Sequence, residues 1–238
     1  MLVHEADRPS DAPYVERVWR YHSEGSGSFL SIAECRSELV VARYRGQVTV
    51  TLRGPETRAS RMSYPPDVEW LGIRLKPGAF VPSRPVRGLV DRGVTLPEAT
   101  GASFWLDGSA WPLPEYENAD TFVARLVRAG VLAMDPTVPA ALRGDMTQAS
   151  LRTAQRRFLR ATGVTRSVAR QIERARYAAL LLMRGESIAD VIHEAGYFDQ
   201  AHITRSLKRL IGQTPAQLLR DGCEQLSFLY KTEPSAAP

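Results

Sequence analysis

The side chains best suited to chemistry in this sequence are glutamines and arginines that recur at helical spacing in two stretches, residues 150–163 and 199–212. Both side chain types can form paired hydrogen bonds with the edge of a purine base in the major groove of DNA. The spacing therefore predicts two exposed helical faces suited to reading bases. The candidate base-reading residues are Arg152, Gln155, Arg156, Gln200, Thr204 and Arg205.

The opposite side of each stretch is apolar, as the buried face of an amphipathic helix must be. Leu151, Ala154 and Phe158 fall on one side of the first stretch, and Ile203 and Leu207 fall on one side of the second. A polar residue begins each stretch and a glycine closes it, which are the signals that start and end a helix. We therefore expect two amphipathic helices whose apolar sides pack on a core.

The positive charge of the chain is concentrated in the same region. Residues 150–220 contain 12 Arg and one Lys against five acidic residues, whereas residues 1–149 contain 17 basic and 18 acidic residues. This asymmetry is typical of a chain in which one part faces a polyanion. A solvated basic surface would give the same charge count, and arginine outnumbers lysine 28 to three in the whole chain. The positions of the arginines therefore carry more information than their number.

Local signals also indicate the elements that must hold these faces in place. The segment 167–184 predicts a long helix that ends at Gly185. Ser187 and Asp190 have the spacing of a capping box, which predicts a short helix that ends near Gly196. A short helix, a turn with glycine and a second helix with outward polar residues form a helix-turn-helix by arrangement.

The segment from Ser187 to Ala216, SIADVIHEAGYFDQAHITRSLKRLIGQTPA, closely resembles the second helix-turn-helix of the AraC/XylS family of bacterial transcription regulators. The shared pattern runs from an Ile-Ala pair through Gly-Tyr and Asp-Gln to an arginine-rich helix and Gly-x-x-Pro. With the preceding long helix and the first amphipathic stretch, the resemblance covers about residues 140–220. It implies two helix-turn-helices that are joined by the long helix and read successive segments of the major groove, about 34 Å apart.

The same resemblance implies a set of contacts to the DNA backbone. Basic side chains and the unpaired N–H groups at a helix N-terminus both bind phosphate. The implied phosphate contacts come from the helix N-termini at Ser150 and Asp199 and from the side chains of Arg160, His202, Lys208 and Arg209.

The first part of the chain has the pattern of short strands followed by a helix. Alternating apolar residues on both sides of Arg45-Gly46 predict a β-hairpin, and residues 24–28, EGSGS, are expected to be flexible. Strands separated by turn residues are typical of a small barrel or a sandwich, and the family resemblance favours a cupin-like β-barrel with trailing helices. The predicted elements are strands at 39–44, 48–52, 58–62 and 68–75 and a helix at about 120–134.

The predicted fold class is therefore α+β, with an N-terminal β-barrel domain and a C-terminal all-α domain. Residues 1–136 are expected to form a domain that binds an effector, regulates the protein or mediates dimerisation. Residues 137–222 are expected to form the double helix-turn-helix domain, and residues 223–238 a flexible tail.

Four aromatic residues, Tyr64, Trp70, Trp105 and Trp111, are candidates for the lining of an effector pocket in the first domain. Scattered aromatic residues that simply fill the core are the alternative interpretation, and it is the more common one.

The sequence predicts no catalytic, metal or cofactor site. The only histidines before residue 190 are His4 and His22, and Cys35 and Cys223 have no second ligand at metal-binding spacing. Nucleophile elbows, P-loops and dinucleotide-binding fingerprints are absent from the sequence. These observations argue against an enzyme.

The preferred interpretation is a bacterial sequence-specific DNA-binding transcription regulator that acts in the cytoplasm, on the nucleoid. The expected partners are promoter or operator DNA, RNA polymerase, a small effector and a second copy of the chain, without a membrane span. One alternative is a small-molecule-binding β-barrel protein whose helical half is a protein-interaction module. Another is a regulator that is controlled by a protein partner rather than a ligand.

Overall fold

The computed structural model of the protein describes residues 1–143 and 151–221. The strands in these ranges are β1 (Leu2–Pro9), β2 (Val15–Ser23), β3 (Gly27–Ser31), β4 (Glu38–Tyr44), β5 (Gln47–Arg53), β6 (Ser60–Tyr64), β7 (Val68–Leu75), β8 (Ala79–Phe80), β9 (Gly93–Thr95), β10 (Ser103–Leu106), β11 (Ser109–Pro112) and β12 (Ala133–Met134). The helices are α1 (Ala119–Arg128), α2 (Thr137–Arg143), α3 (Leu151–Thr162), α4 (Arg166–Met183), α5 (Ile188–Glu194), α6 (Gln200–Leu210) and α7 (Pro215–Asp221), and a short 3-10 helix covers Val86–Leu89.

The predicted α+β class is confirmed, but the predicted β-barrel is wrong. Six antiparallel strands form an open sheet in the order β1-β2-β7-β4-β5-β9, so that β1 and β9 are its edges. The pairs β3–β6, β8–β12 and β10–β11 form separate two-stranded sheets. Alternating hydrophobicity shows only that one face of a strand is buried, and it does not distinguish an open sheet from a closed one.

The hairpin predicted around Arg45-Gly46 is confirmed. Strands β4 and β5 pair antiparallel, with Tyr44 opposite Gln47 across the two-residue loop. Arg45 and Gly46 have φ angles of 48° and 77°, which a two-residue type I′ turn requires. The buried side of β5 contributes Val50 to the core that the sheet shares with α1.

Helix α1 is shorter than the predicted helix at 120–134. It ends at Arg128, and Gly130 adopts a left-handed φ of 75°, the conformation that commonly terminates a helix. Ala133 then pairs with Phe80, because β12 runs antiparallel to β8. The apolar residues in 131–134 have helical spacing relative to α1, which is why the sequence predicted a longer helix. They belong to a turn and a strand instead.

The chain forms two compact units. Unit 1 contains residues 1–27, 36–55 and 64–165, and unit 2 contains residues 28–35, residues 56–63 and the chain from 166 onward. We call residues 28–35 and 56–63 the arm. The predicted boundary at residue 136 falls within unit 1, and Ser28, in a segment expected to be flexible, lies in strand β3.

Unit 2 consists of the arm and the last four helices. The long helix predicted at 167–184 is confirmed as α4, and it packs against α5, α6 and α7. Ile172, Ile203 and Leu207 are fully buried, so the apolar sides of α4 and α6 share one core. Within the described residues, none of the helices combines the length and the apolar character needed to cross a membrane.

Candidate nucleic-acid interface

Helices α5 and α6 and the turn between them form the predicted helix-turn-helix. The Ser187 side chain accepts a hydrogen bond from the Asp190 N–H, and the Asp199 carboxylate accepts one from the His202 N–H at 2.6 Å. These bonds satisfy backbone donors that the first turn of a helix leaves unpaired. Gly196 has a φ of 67°, which turns the chain out of α5. The caps therefore fix where α6 begins.

One face of α6 is exposed and basic, as predicted. Gln200, Arg205, Lys208 and Arg209 are exposed, whereas Ile203 is fully buried. Within residues 1–143 and 151–221, none of these three basic side chains forms an ion pair. Their positive charges are therefore available to an external anion.

The remaining predicted contact residues of α6, Thr204 and His202, are half-buried. The His202 Nδ1 atom accepts a hydrogen bond from the Phe198 N–H at 3.4 Å, and its ring packs edge-on to Tyr197 with centroids 5.1 Å apart. These contacts hold the imidazole beside the first turn of the helix.

Tyr197 anchors the turn that precedes α6. Its ring lies under the Arg174 guanidinium at 4.6 Å, and its hydroxyl is 3.0 Å from the Ser206 Oγ atom. Burial raises the pKa of this phenol above its ordinary value. The neutral hydroxyl joins the turn to α6, while Arg174 joins it to α4.

The structure adds one residue that sequence reasoning missed. Phe198 is 90% exposed immediately before the Asp199 cap. A large apolar side chain at the start of a reading helix can contact the methyl group of thymine. The sequence signal was an aromatic residue between the buried Tyr197 and a helix cap, where a polar turn residue is more usual.

The first predicted reading face lies on α3, which belongs to unit 1. Arg152, Gln155 and Arg156 are exposed as predicted, whereas on the predicted apolar side Phe158 is buried and Ala154 is half-buried. Arg160 is also exposed. The predicted cap Ser150 lies outside the described residues, as does the tail from residue 223.

The C-terminal end of α3 packs tightly against the 3-10 helix. The Thr162 hydroxyl donates a hydrogen bond to the Phe158 carbonyl at 2.8 Å. Gly163 has a φ of 71°, and a Cβ atom there would lie 2.9 Å from the Val86 carbonyl oxygen. Only glycine satisfies both the left-handed conformation and this close approach.

An ion pair holds α3 at its middle. The Arg157 Nε and Nη2 atoms donate to the two carboxylate oxygens of Asp135 at 3.0 and 2.9 Å. Burial acts to raise the pKa of Asp135, but hydrogen bonds from Arg157 and Thr137 outweigh it and hold the pKa below its ordinary value. Asp135 is therefore anionic, and Arg157 faces the protein rather than a ligand.

The arm contacts the end of α6, which no sequence signal indicated. The Ala33 N–H donates to the Leu210 carbonyl at 2.7 Å, and the Ala59 N–H donates to the Arg209 carbonyl at 2.8 Å. These carbonyls belong to the last turn of α6, where a helix has no partners of its own. The Arg176 guanidinium of α4 pairs with Glu34 at 2.8 Å. The arm therefore stabilises the C-terminal end of α6.

The structure gives each of the four aromatic effector candidates a different setting. Trp70 lines a cavity of about 220 Å³, and Tyr64 packs edge-on against Trp70 with ring centroids 6.1 Å apart. Trp105 and Trp111 lie apart from them in sequence, on the β10–β11 hairpin, where the Trp111 indole N–H donates to the Leu106 carbonyl. Of the four, only Trp70 lines that cavity.

Three potential metal-ligating groups meet in unit 2, at Glu34, Cys35 and Glu173. The Cys35 thiol donates to the Glu173 carboxylate at 3.4 Å, and the Glu34 carboxylate pairs with Arg176. These three groups thus have hydrogen-bonding or ionic partners within the protein.

The chain was compared with protein-family models, with curated proteins and with solved structures. A family model described as a helix-turn-helix domain matches residues 144–221, a span that contains α3, α4, α5, α6 and α7. This span is about a third of the chain. Neither a curated protein nor a solved structure matches the chain significantly.

Proposed function

We propose that the protein is a DNA-binding transcriptional regulator of the AraC/XylS family and that it reads two segments of the major groove. The match of residues 144–221 to a helix-turn-helix family model supports this proposal. Helix α6 reads one segment and α3 reads the other. The family to which this domain belongs is one of regulators and not of enzymes.

The observation that carries the proposal is the exposed row on α6. Gln200 and Arg205 project from a helix that two caps and a buried apolar stripe fix in place, and their side chains suit paired hydrogen bonds to adenine and guanine respectively. Thr204 adds a hydroxyl that can donate to or accept from a base. Lys208 and Arg209 follow one turn later, where their charges are placed for phosphate contacts.

Helix α3 supplies the second proposed reading face. Arg152, Gln155 and Arg156 are exposed on the side opposite the buried Phe158. We assign base contacts to these three residues and phosphate contacts to Arg160. The helix N-termini at Ser150 and Asp199, together with His202, complete the proposed phosphate contacts.

Control of DNA binding is assigned to the N-terminal region. Unit 1 offers the cavity beside Trp70, which is large enough for a small effector fragment. A second copy of the chain and RNA polymerase are the other proposed partners, since regulators that bind promoters act through one or both. Such a regulator acts on chromosomal DNA in the cytoplasm.

Selection of bound sequences from a random duplex library, with the full chain, tests this proposal. We expect a preferred site in which two short conserved segments are separated by about one helical turn, roughly 10 base pairs. One conserved segment would remove α3 or α6 from the reading set. Recovery of random sequences would contradict sequence-specific reading altogether.

A further inference from the structure

We infer that unit 1 contains a binding site for an organic carboxylate with an apolar body, in a cavity beside the first reading helix. The cavity has a volume of about 650 Å³, and small-molecule sites commonly enclose about 300 to 1,000 Å³. Its apolar wall includes Phe80, Pro82, Val86, Ala133 and Leu159. All of these residues belong to unit 1.

Three short elements build this wall. Strand β8 places Phe80 opposite Ala133 of β12, and the 3-10 helix adds Val86. Helix α3 closes one side with Leu159, and Gly163 allows its end to approach the 3-10 helix. The wall therefore depends on backbone pairing and close packing rather than on long flexible side chains.

Three exposed arginines, Arg87, Arg156 and Arg160, also line the cavity. In the two described ranges, Arg87 and Arg156 have neither a hydrogen-bond nor an ion-pair partner. The Arg160 guanidinium lies over the Phe80 ring, 5.8 Å from its centroid. Planar guanidinium groups pair with carboxylates through two parallel hydrogen bonds, which a lysine cannot form.

Asp135 forms an ion pair with one of these three arginines, but its main partner is Arg157. Asp135 receives two hydrogen bonds from Arg157, whereas the Arg160 Nη2 atom lies 3.6 Å from its Oδ2 atom. Because Arg157 donates both of the shorter hydrogen bonds to Asp135, the three arginines that line the cavity retain an excess of positive charge. A bare phosphate would satisfy the cations but leave the apolar wall in contact with water. A carboxylate on an apolar body satisfies both.

The cavity beside Trp70 lacks these properties. It has a third of the volume, and its lining includes the acids Glu69, Glu115 and Glu117 as well as Arg20 and Arg43. Its lining thus carries charges of both signs, and it contains none of the proposed DNA contacts.

The position of the cavity beside α3 should couple ligand binding to DNA binding. This step rests on the proposed function. Arg156 lines the cavity and is also a proposed base-reading residue, and Arg160 is a proposed phosphate contact. A carboxylate that binds these guanidinium groups occupies the donors that DNA would use. Ligand and DNA therefore compete, and each lowers the affinity of the other by the same factor.

Calorimetric titration of the full chain with 2-naphthoate and with decanoate tests the ligand site. We expect at least one of them to bind at least about tenfold more tightly than the neutral 2-naphthamide or inorganic phosphate. Arg87→Met and Arg156→Met should each weaken binding about tenfold, whereas Arg128→Met, at an exposed position on α1, should not change it. Equal affinity for the carboxylate and the neutral probe would refute the site. Unchanged binding in both Arg87→Met and Arg156→Met would also refute it, as would failure of both carboxylates to bind.

Anisotropy titrations of a labelled selected duplex test the coupling. A saturating concentration of the bound carboxylate should raise the dissociation constant of the wild-type chain for DNA about tenfold. At the same concentration, Arg87→Met should lose most of this effect, because Arg87 belongs to the cavity and not to the proposed DNA contacts. An unchanged DNA affinity would refute the coupling. If no duplex binds at all, the proposed function fails while the calorimetric result stands.

Discussion

Replacing Arg205 with alanine should relax the choice of base at one position of the bound site without destabilising the fold. Arg205 is exposed on α6, and within the described residues it has no hydrogen-bond or ion-pair partner that the substitution would leave unpaired. A paired hydrogen bond from arginine to guanine contributes about 1 to 3 kcal/mol to discrimination between bases. We therefore expect a loss of about 5- to 150-fold on the preferred site and a much smaller loss on random DNA.

Lys208→Ala is the matched contrast on the same helix. Its charge lies one turn further along α6, where we assign a phosphate contact, so its loss should weaken binding to all sequences alike. The slope of log affinity against log salt concentration should become shallower by about 0.9, since one fewer counterion is released. Arg128→Ala, which removes an exposed arginine from α1 in unit 1, controls for the general effect of net charge.

The assay is a mobility-shift titration of each variant on the selected site, on its single-base variants and on random duplex, at several salt concentrations. Thermal unfolding of each variant should match the wild type within about 2 °C, because none of the three side chains is buried. Equal losses on preferred and random DNA for Arg205→Ala would refute the assignment of this residue to base reading. A selective loss for Lys208→Ala would reverse the two roles.

Three further predictions concern stability and can be measured by thermal or urea unfolding. Asp199→Ala removes the N-cap of α6 and should cost about 1 kcal/mol; an unchanged melting temperature would show that the cap is dispensable. Gly212→Ala should cost more than 1 kcal/mol, because Gly212 has a φ of 84° and the new Cβ would lie 2.6 Å from Leu30 of the arm; a stabilised variant would contradict the contact between arm and helix. Asp135→Asn should lower stability at pH 7, and the difference from the wild type should shrink as the pH falls below 4. The folded-state pKa of Asp135 is lowered, so its contribution is complete above the unfolded pKa and is lost through the folded one; a difference that persists at pH 2 would contradict this ion pair.

Local signals in the sequence were sufficient for the second helix-turn-helix. Ser187, Asp199 and Thr214 each cap a helix through atoms three residues away, and Thr214 and Gln217 bond reciprocally at 2.9 and 3.3 Å. The apolar stripe of α6 has helical spacing and is buried as predicted. Interactions between residues so close in the chain depend little on the rest of the fold, which is why a pattern can predict them.

Patterns failed where the choice depended on distant partners. The alternation in β4 and β5 predicted their hairpin, but the six-stranded sheet remains open, and closure depends on strand neighbours rather than on alternation. The helix predicted at 120–134 stops at Arg128 because Ala133 and Met134 pair with Phe80 and Ala79, more than 50 residues earlier. The period of an apolar run cannot show that a strand elsewhere will pair with it.

The sequence by itself determined helices α4, α5 and α6, the caps at Ser187 and Asp199, and the outward sides of α3 and α6, because these depend on residues within a turn or two of one another. Only the tertiary structure decided that the arm covers the end of α6, where Ala33 meets Leu210, and that Arg156 lines an apolar cavity with Phe80. These pairs are separated by more than 70 residues, and backbone hydrogen bonds and cavity walls at that distance leave no periodic trace in the chain. Their positions follow from how the whole core packs.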